Sequence, residues 1–136
     1  MAGAPPFQPL GLDHLLLHVR GMDAAEHFYC GVLGCAVKSR MPQWGMLELS
    51  AGVTLVDTAD PNGARALEGA APGRNLDHFA VVTSAWDETG MREWLAAHGV
   101  AIEEERAEED SLSFYIRDPS GNLVELIRKA DRQPAI

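Results

Sequence analysis

Two histidines and one glutamate interrupt strands otherwise built from apolar residues: His14, His78 and Glu125. His14 ends the tripeptide Leu12-Asp13-His14, which returns 64 residues later as Leu76-Asp77-His78. Glu125 stands alone in Asn122-Leu123-Val124-Glu125-Leu126-Ile127. An unpaired carboxylate in such surroundings is costly to bury or neutralises itself. A divalent cation removes that cost by accepting the carboxylate and both imidazoles. Two imidazoles and one carboxylate suit Zn, Ni, Mn, Co or Fe, and leave positions open for substrate and water. The bland alternative is structural, with hydrogen-bonded strand histidines and Glu125 paired to an arginine or lysine. Asp13 and Asp77 read as strand-start residues that satisfy local amides.

These residues need strands to carry them. Leu12–Val19 alternates, with His14, Leu16 and His18 on one face. Asp23 and Glu26 form a capping-box pattern, and Ala25, Phe28, Tyr29, Val32 and Leu33 make an apolar helical stripe that stops at Gly34. Strands are expected at Cys35–Arg40, Trp44–Leu49 and Val53–Thr58. Residues 59–74 read as a linker, with one helical turn around Ala64–Leu67. The order then repeats: a strand at Leu76–Thr83, a helix running to His98 with Met91, Trp94 and Leu95 on one face, and Gly99 as its stop. Strands follow at Val100–Glu105, Leu112–Arg117 and Leu123–Arg128. Each half is β-α-β-β-β, and neither buries its sheet unaided. The chain is therefore expected to be a single α+β domain, with module one at about 11–58 and module two at about 75–129.

The 136 residues carry 20 acidic and 11 basic side chains, a net charge of −9. Such a surface repels nucleic acid and anionic membranes, so neither is expected as a partner. No apolar run approaches a spanning helix, and the first residues have no signal-peptide pattern; a cytoplasmic protein is expected. Cys30 and Cys35 read as two reduced thiols, with a disulfide as the alternative.

Three stretches resemble the vicinal-oxygen-chelate superfamily of glyoxalases, bleomycin-binding proteins and extradiol dioxygenases. They are Leu12-Asp13-His14 with its strand, His27-Phe28-Tyr29 through Val32-Leu33-Gly34, and Phe114-Tyr115 through Asp118-Pro119-Ser120-Gly121-Asn122 to Glu125. The resemblance implies two β-α-β-β-β modules in a curled, incomplete barrel whose concave side holds one divalent metal. His14, His78 and Glu125 match three of the family's ligand positions. The fourth, on the last strand of module one, falls on Asp57, with Leu55 as the competing alignment. The resemblance also implies a homodimer and a small-molecule substrate chelated through adjacent oxygens.

The expected chemistry is a glyoxalase-type lyase or isomerase reaction, with Glu125 as catalytic base. An extradiol ring-cleavage dioxygenase and a non-catalytic, bleomycin-resistance-like binder are the alternatives. Tyr115, ten residues before Glu125, is where extradiol enzymes place an assisting tyrosine. His18 stands where glyoxalase I has a glutathione-gripping arginine; it reads as a further ligand, a proton shuttle or a core residue. Arg74 could meet a substrate carboxylate. His27 and His98 read as surface or packing residues, and Asp118–Asn122 as turn chemistry. Trp44, on a sheet, could stack a ligand, whereas Trp94 reads as helix core.

Overall fold

A computed structural model of the chain describes residues 4–6, 8–68, 73 and 76–129. Module one contains β1 (Leu15–Val19), α1 (Met22–Glu26), β2 (Val37–Met41), β3 (Met46–Leu49) and β4 (Val53–Asp57). Module two contains β5 (Phe79–Thr83), α2 (Glu88–Ala97), β6 (Glu104–Glu108), β7 (Ser111–Arg117) and β8 (Leu123–Lys129). The sheets have the same plan, ordered β1-β4-β3-β2 and β5-β8-β7-β6. In each, the first and last strands run parallel and the remaining pairs are antiparallel. This is the expected α+β architecture, two open four-stranded sheets.

The apolar stripe forms as expected, but the helix changes pitch along it. α1 ends at Glu26, and His27–Val32 widens into a π-helical turn. Ala25, Phe28, Tyr29 and Val32 remain buried on it. Phe28 and Tyr29 meet edge to face at 5.0 Å. Gly34 follows at φ 83 and Gly99 at φ 70, the left-handed stops that a side chain would disfavour. Two other expectations shift. Val100 and Ile102 pack on the core, and β6 starts only at Glu104, just after the Glu103 amide donates to the Tyr115 carbonyl. Trp44 lies in the 3₁₀ turn Pro42–Trp44, not on a strand, because Gly45 turns the chain left-handed before β3.

Only one face of each sheet is covered by its module's helix. In module one that face carries Leu17, Val19, Leu47, Leu49, Val53 and Leu55, in one core cluster with Phe79, Phe114, Ile116, Val124 and Leu126 of module two. The other, open face of each sheet leaves Leu16 and Val82 exposed, although residues 63–66 lie against Val56 in module one. Strand β6 forms one border of its sheet, and all its residues, Glu-Glu-Arg-Ala-Glu, are exposed.

Hydrogen bonds tie the modules together. The Tyr29 hydroxyl donates to Asp118 at 2.8 Å, and Trp94 Nε1 donates to the Val32 carbonyl at 2.9 Å. Trp94 is therefore a half-exposed cross-tie rather than a core residue. Asn122 Nδ2 donates to the His18 carbonyl, and the Arg20 amide to Ser120 Oγ. The Asp118–Asn122 turn thus joins the halves as well as reversing the chain.

Asp57 supplies the cap that Asp23 was expected to give. Helix α1 begins at Met22, with Asp23 already inside it, and Glu26 pairs with Arg40. Asp57 accepts from the amides of Gly21 (2.9 Å), Met22 (3.0 Å) and Ala59 (3.0 Å). Burial alone would raise its pKa; the amides of Gly21, Ala59, Met22 and Asp60 outweigh this and lower it. A lowered folded-state pKa gives stability that is present above the unfolded value and lost as pH falls through the folded one. Asp57→Asn is expected to cost about 2 kcal/mol in denaturant melts at neutral pH. The gap between the two proteins should be complete above about pH 5 and close progressively below about pH 4. An equal gap at pH 3 and pH 7 would show that the charge is not what caps the helix.

Candidate metal centre

His14 and His78 each sit immediately before the first strand of their module. In both, ring Nδ1 lies 2.7 Å from a carboxylate oxygen of the preceding residue, Asp13 or Asp77. Each aspartate therefore holds the histidine that follows it. An ionised carboxylate only accepts, so Nδ1 carries a hydrogen in both rings. His14 Nε2 is left to bind, whereas His78 Nε2 faces Glu125 and must give up its hydrogen before it could hold an ion. An outer carboxylate on the second nitrogen is the usual support of a metal-ligating histidine. The sequence repeat thus encodes a repeated orienting device.

Glu125 lies across from Ala80 on one side and Tyr115 on the other. Its Oε1 is 3.1 Å from His78 Nε2, and its Oε2 accepts from Ser113 Oγ at 2.6 Å. The Tyr115 ring stands edge-on to His78 at 5.4 Å, with its hydroxyl beside Glu125. Burial pushes the Glu125 pKa up, but bonds from Ser113, Tyr115 and His78 outweigh it and hold the carboxylate below its ordinary range. The Asp77 bond raises the His78 pKa, with burial opposing and Glu125 adding to the rise. Burial raises the Tyr115 pKa, and neighbouring Glu125 adds to that rise.

The donor pair fits a metal ion. Two atoms each about 2.0–2.2 Å from one ion, at right-angle to tetrahedral spread, lie about 2.8–3.6 Å apart. The His78–Glu125 separation of 3.1 Å falls inside that interval.

Module one differs at the matching place. Leu15 pairs with Val53 and Leu16 with Thr54, as Phe79 pairs with Val124 and Ala80 with Glu125. The counterpart of Glu125 is therefore Thr54, which is buried. Leu55 and Asp57 alternate onto the helix-covered face, where Asp57 spends its oxygens on amides. The acid on the open face is one strand over: Glu48 pairs with Thr54, the counterpart of Tyr115 opposite Glu125. Glu48 is half-buried and has no protein partner among the described residues. Sequence reasoning missed it, although its alternation in Met46-Leu47-Glu48-Leu49 carried the signal.

His14 itself is half exposed. Among the described residues of one chain, no three His, Cys, Asp or Glu side chains converge tightly enough to hold an ion. The structure brings His78 to Glu125, and leaves His14 and Asp57 elsewhere. His18 is exposed rather than core, beside a cavity. His27 is exposed, and His98 bonds the Trp94 carbonyl through Nδ1. Arg74 lies outside the described residues.

Residues 11–126 match the Glyoxalase/Bleomycin resistance protein/Dioxygenase superfamily. The chain belongs to this superfamily. Among solved structures, it resembles a protein from the mobile metagenome of V. Pseudocholerae at 27% identity and TM-score 0.63. That match covers 90% of this chain and 96% of the other. Lactoylglutathione lyase from Agrobacterium tumefaciens matches at 24% identity and TM-score 0.62, covering 88% and 94%. A glyoxalase/bleomycin resistance protein/dioxygenase from Nocardioides matches at 20% identity and TM-score 0.60, covering 96% and 91%. At 24% and 20% identity, the last two speak to the shared fold.

Proposed function

We propose that the protein is a divalent-metal-dependent lyase or isomerase of the glyoxalase type, acting on a small substrate chelated through adjacent oxygens. The paired Asp-His anchors carry the reading, because each fixes its ring through Nδ1 and His78 already meets Glu125 at an ion-compatible distance. His14 of one copy would join His78 and Glu125 of a second, so the working unit is a homodimer. The faces of the two sheets turned away from the helices support this, since they leave Leu16 and Val82 exposed. Asp57 has no place in the ligand set, its oxygens being committed to the helix start. Free Cys30 and Cys35 thiols suit a reducing, cytoplasmic setting.

A bound Zn, Ni, Mn, Co or Fe ion would act as Lewis acid on the two substrate oxygens. Glu125 takes and returns the substrate proton, its basicity set by Ser113, Tyr115 and His78. Asp77 keeps His78 in one orientation. Glu48 supplies a second carboxylate on the open face of module one, suited to a proton on the other side of the substrate.

One observation favours a second reading, the extradiol ring-cleavage dioxygenase. Tyr115 sits against both His78 and Glu125, and Thr54 leaves two histidines and one carboxylate as the protein ligands, a set that also suits non-haem Fe(II). Turnover of methylglyoxal–glutathione with Ni²⁺ or Zn²⁺ supports the first reading. Catechol cleavage with Fe²⁺ and oxygen supports the second. Purified protein that takes up no metal at all would return it to the non-catalytic binders.

Complementation tests the shared site directly. His14→Ala and His78→Ala homodimers should each be inactive. Equal mixing and subunit exchange should restore roughly a quarter of wild-type activity, because half the dimers then hold one intact site in two. No recovery despite demonstrated exchange would refute assembly across copies.

A further inference from the structure

Both cysteines of the chain stand at the end of one helix, where the proposed chemistry does not use their sulfur. Cys30 lies in the π-helical turn His27–Val32, and Cys35 follows the left-handed stop at Gly34. Both are free thiols, half-buried and packed against the core. The helix stop brings them together. The Cys35 amide donates to the Tyr29 carbonyl at 2.9 Å. That carbonyl oxygen and the Cys30 nitrogen belong to one peptide unit and lie about 2.2 Å apart. The two cysteine nitrogens are therefore within about 5 Å, and their α-carbons at most about 8 Å apart. A disulfide takes α-carbons about 4.4–6.8 Å apart, inside that ceiling. The side chains are close as well, since a Cys30 thiolate raises the Cys35 pKa.

The same turn carries two of the ties between the modules. Tyr29, just before Cys30, donates to Asp118, and the Val32 carbonyl accepts from Trp94 Nε1. On the other side, Ala36 is fixed to Ser50: its amide donates to Ser50 Oγ at 2.9 Å, and its carbonyl accepts from the Ser50 amide at 2.8 Å. The loop between the cysteines thus joins a segment tied to module two with one tied to the first sheet. Cys30 is the sulfur an oxidant can reach. It lines a surface cavity of about 380 Å³ with Asp23, Glu26, His27 and Gly31, and Arg40 acts to lower its pKa. Burial nevertheless raises both thiols, so they rest protonated and resist weak oxidants.

From this placement we propose that Cys30 and Cys35 are a dithiol site that a peroxide closes into a reversible disulfide, bracing the seam between the modules. In the first step the Cys30 thiolate attacks a peroxide oxygen. The O–O bond breaks, leaving a sulfenic acid on Cys30 and hydroxide, which takes up a proton. The Cys35 thiolate then attacks the Cys30 sulfur, the S–S bond forms, and the sulfenic oxygen leaves as water. Two thiols are oxidised by two electrons, and one hydrogen peroxide is reduced to two waters. The bond removes freedom from the unfolded chain and holds the turn that presents Tyr29 and Val32 to module two. None of this depends on the metal centre.

The test uses the full chain after chelator treatment. Arg20 and Lys38 bracket both cysteines, so trypsin yields one peptide, residues 21–38, that carries the pair. After hydrogen peroxide this peptide should be about 2 Da lighter and refuse iodoacetamide, and dithiothreitol should reverse both changes. Oxidation of Met22 in the same peptide adds about 16 Da and is told apart. Cys35→Ser should stop at a sulfenic acid on Cys30 that dimedone traps, whereas Cys30→Ser should leave Cys35 open to iodoacetamide. The thermal midpoint of the oxidised wild type should rise by roughly 5 °C. Hydrogen exchange at the Trp94 indole should slow at least threefold. Thiols that stay open to iodoacetamide, oxidation that passes to sulfinic acid with no disulfide, or a bond between two chains would overturn the site. An unchanged midpoint or exchange rate with the disulfide in place would overturn the bracing of the seam. Should either serine variant not fold, the mass and alkylation of the wild-type peptide decide alone.

Discussion

Glu125→Gln should lower metal affinity by at least about a hundredfold, equivalent to about 2.7 kcal/mol, and abolish turnover. The change removes the anionic ligand and the base together, while amide and carboxylate have nearly the same shape. Ser113 and Tyr115 can still donate to the amide oxygen, so the fold should survive. Metal analysis after dialysis, with circular dichroism as the folding control, gives the answer. A variant that keeps its metal would show that Glu125 is no ligand. One that unfolds, from a parent that never held metal, would make the acid structural.

Asp118→Ala should be the most damaging single change to stability, at about 3–5 kcal/mol. Its Oδ2 accepts from the Tyr29 hydroxyl and Asn122 Nδ2, and its Oδ1 from the amides of Ser120 and Asn122. Asp118 is 3% exposed, so water cannot replace the lost acceptor without opening the structure. The same change frees Asn122 from its position beneath His18, loosening both modules at once. Tyr29→Phe removes one hydroxyl and leaves Asp118 its other donors, so about 1–2 kcal/mol is expected there. Burial and the adjacent Asp118 carboxylate already raise the Tyr29 pKa far above its usual value, and it stays a neutral donor throughout. Urea melts of the two variants compare these costs. Equal effects would mean that the hydroxyl, rather than the whole carboxylate network, joins the halves.

Much of the fold was legible in the sequence because the duplication repeats its punctuation. The Asp-His pairs, the apolar stripe from Ala25 to Val32 and the stops at Gly34 and Gly99 placed both modules. The meeting of His78 with Glu125 was also foreshadowed, as polar residues at and within apolar strands. What escaped depended on register and on partners distant in sequence. Asp57 looked like a ligand because alternation cannot say which face of β4 meets the helix; pairing with Val19 decides it. Glu48 went unnoticed because its importance comes from lying opposite Thr54. Asp118 read as a turn residue because its buried partner, Tyr29, is 89 positions away.

The border strand β6 bears on how two copies would meet. An outermost strand offers unpaired amides and carbonyls to any neighbour, and is the usual starting point of uncontrolled sheet growth. Glu104, Glu105 and Glu108 face Arg106 and Arg92, which pairs with Glu105. This border therefore keeps an acidic excess and charged side chains along its whole exposed length. Burying those charges to add a strand costs free energy, so sheet growth from β6 is disfavoured.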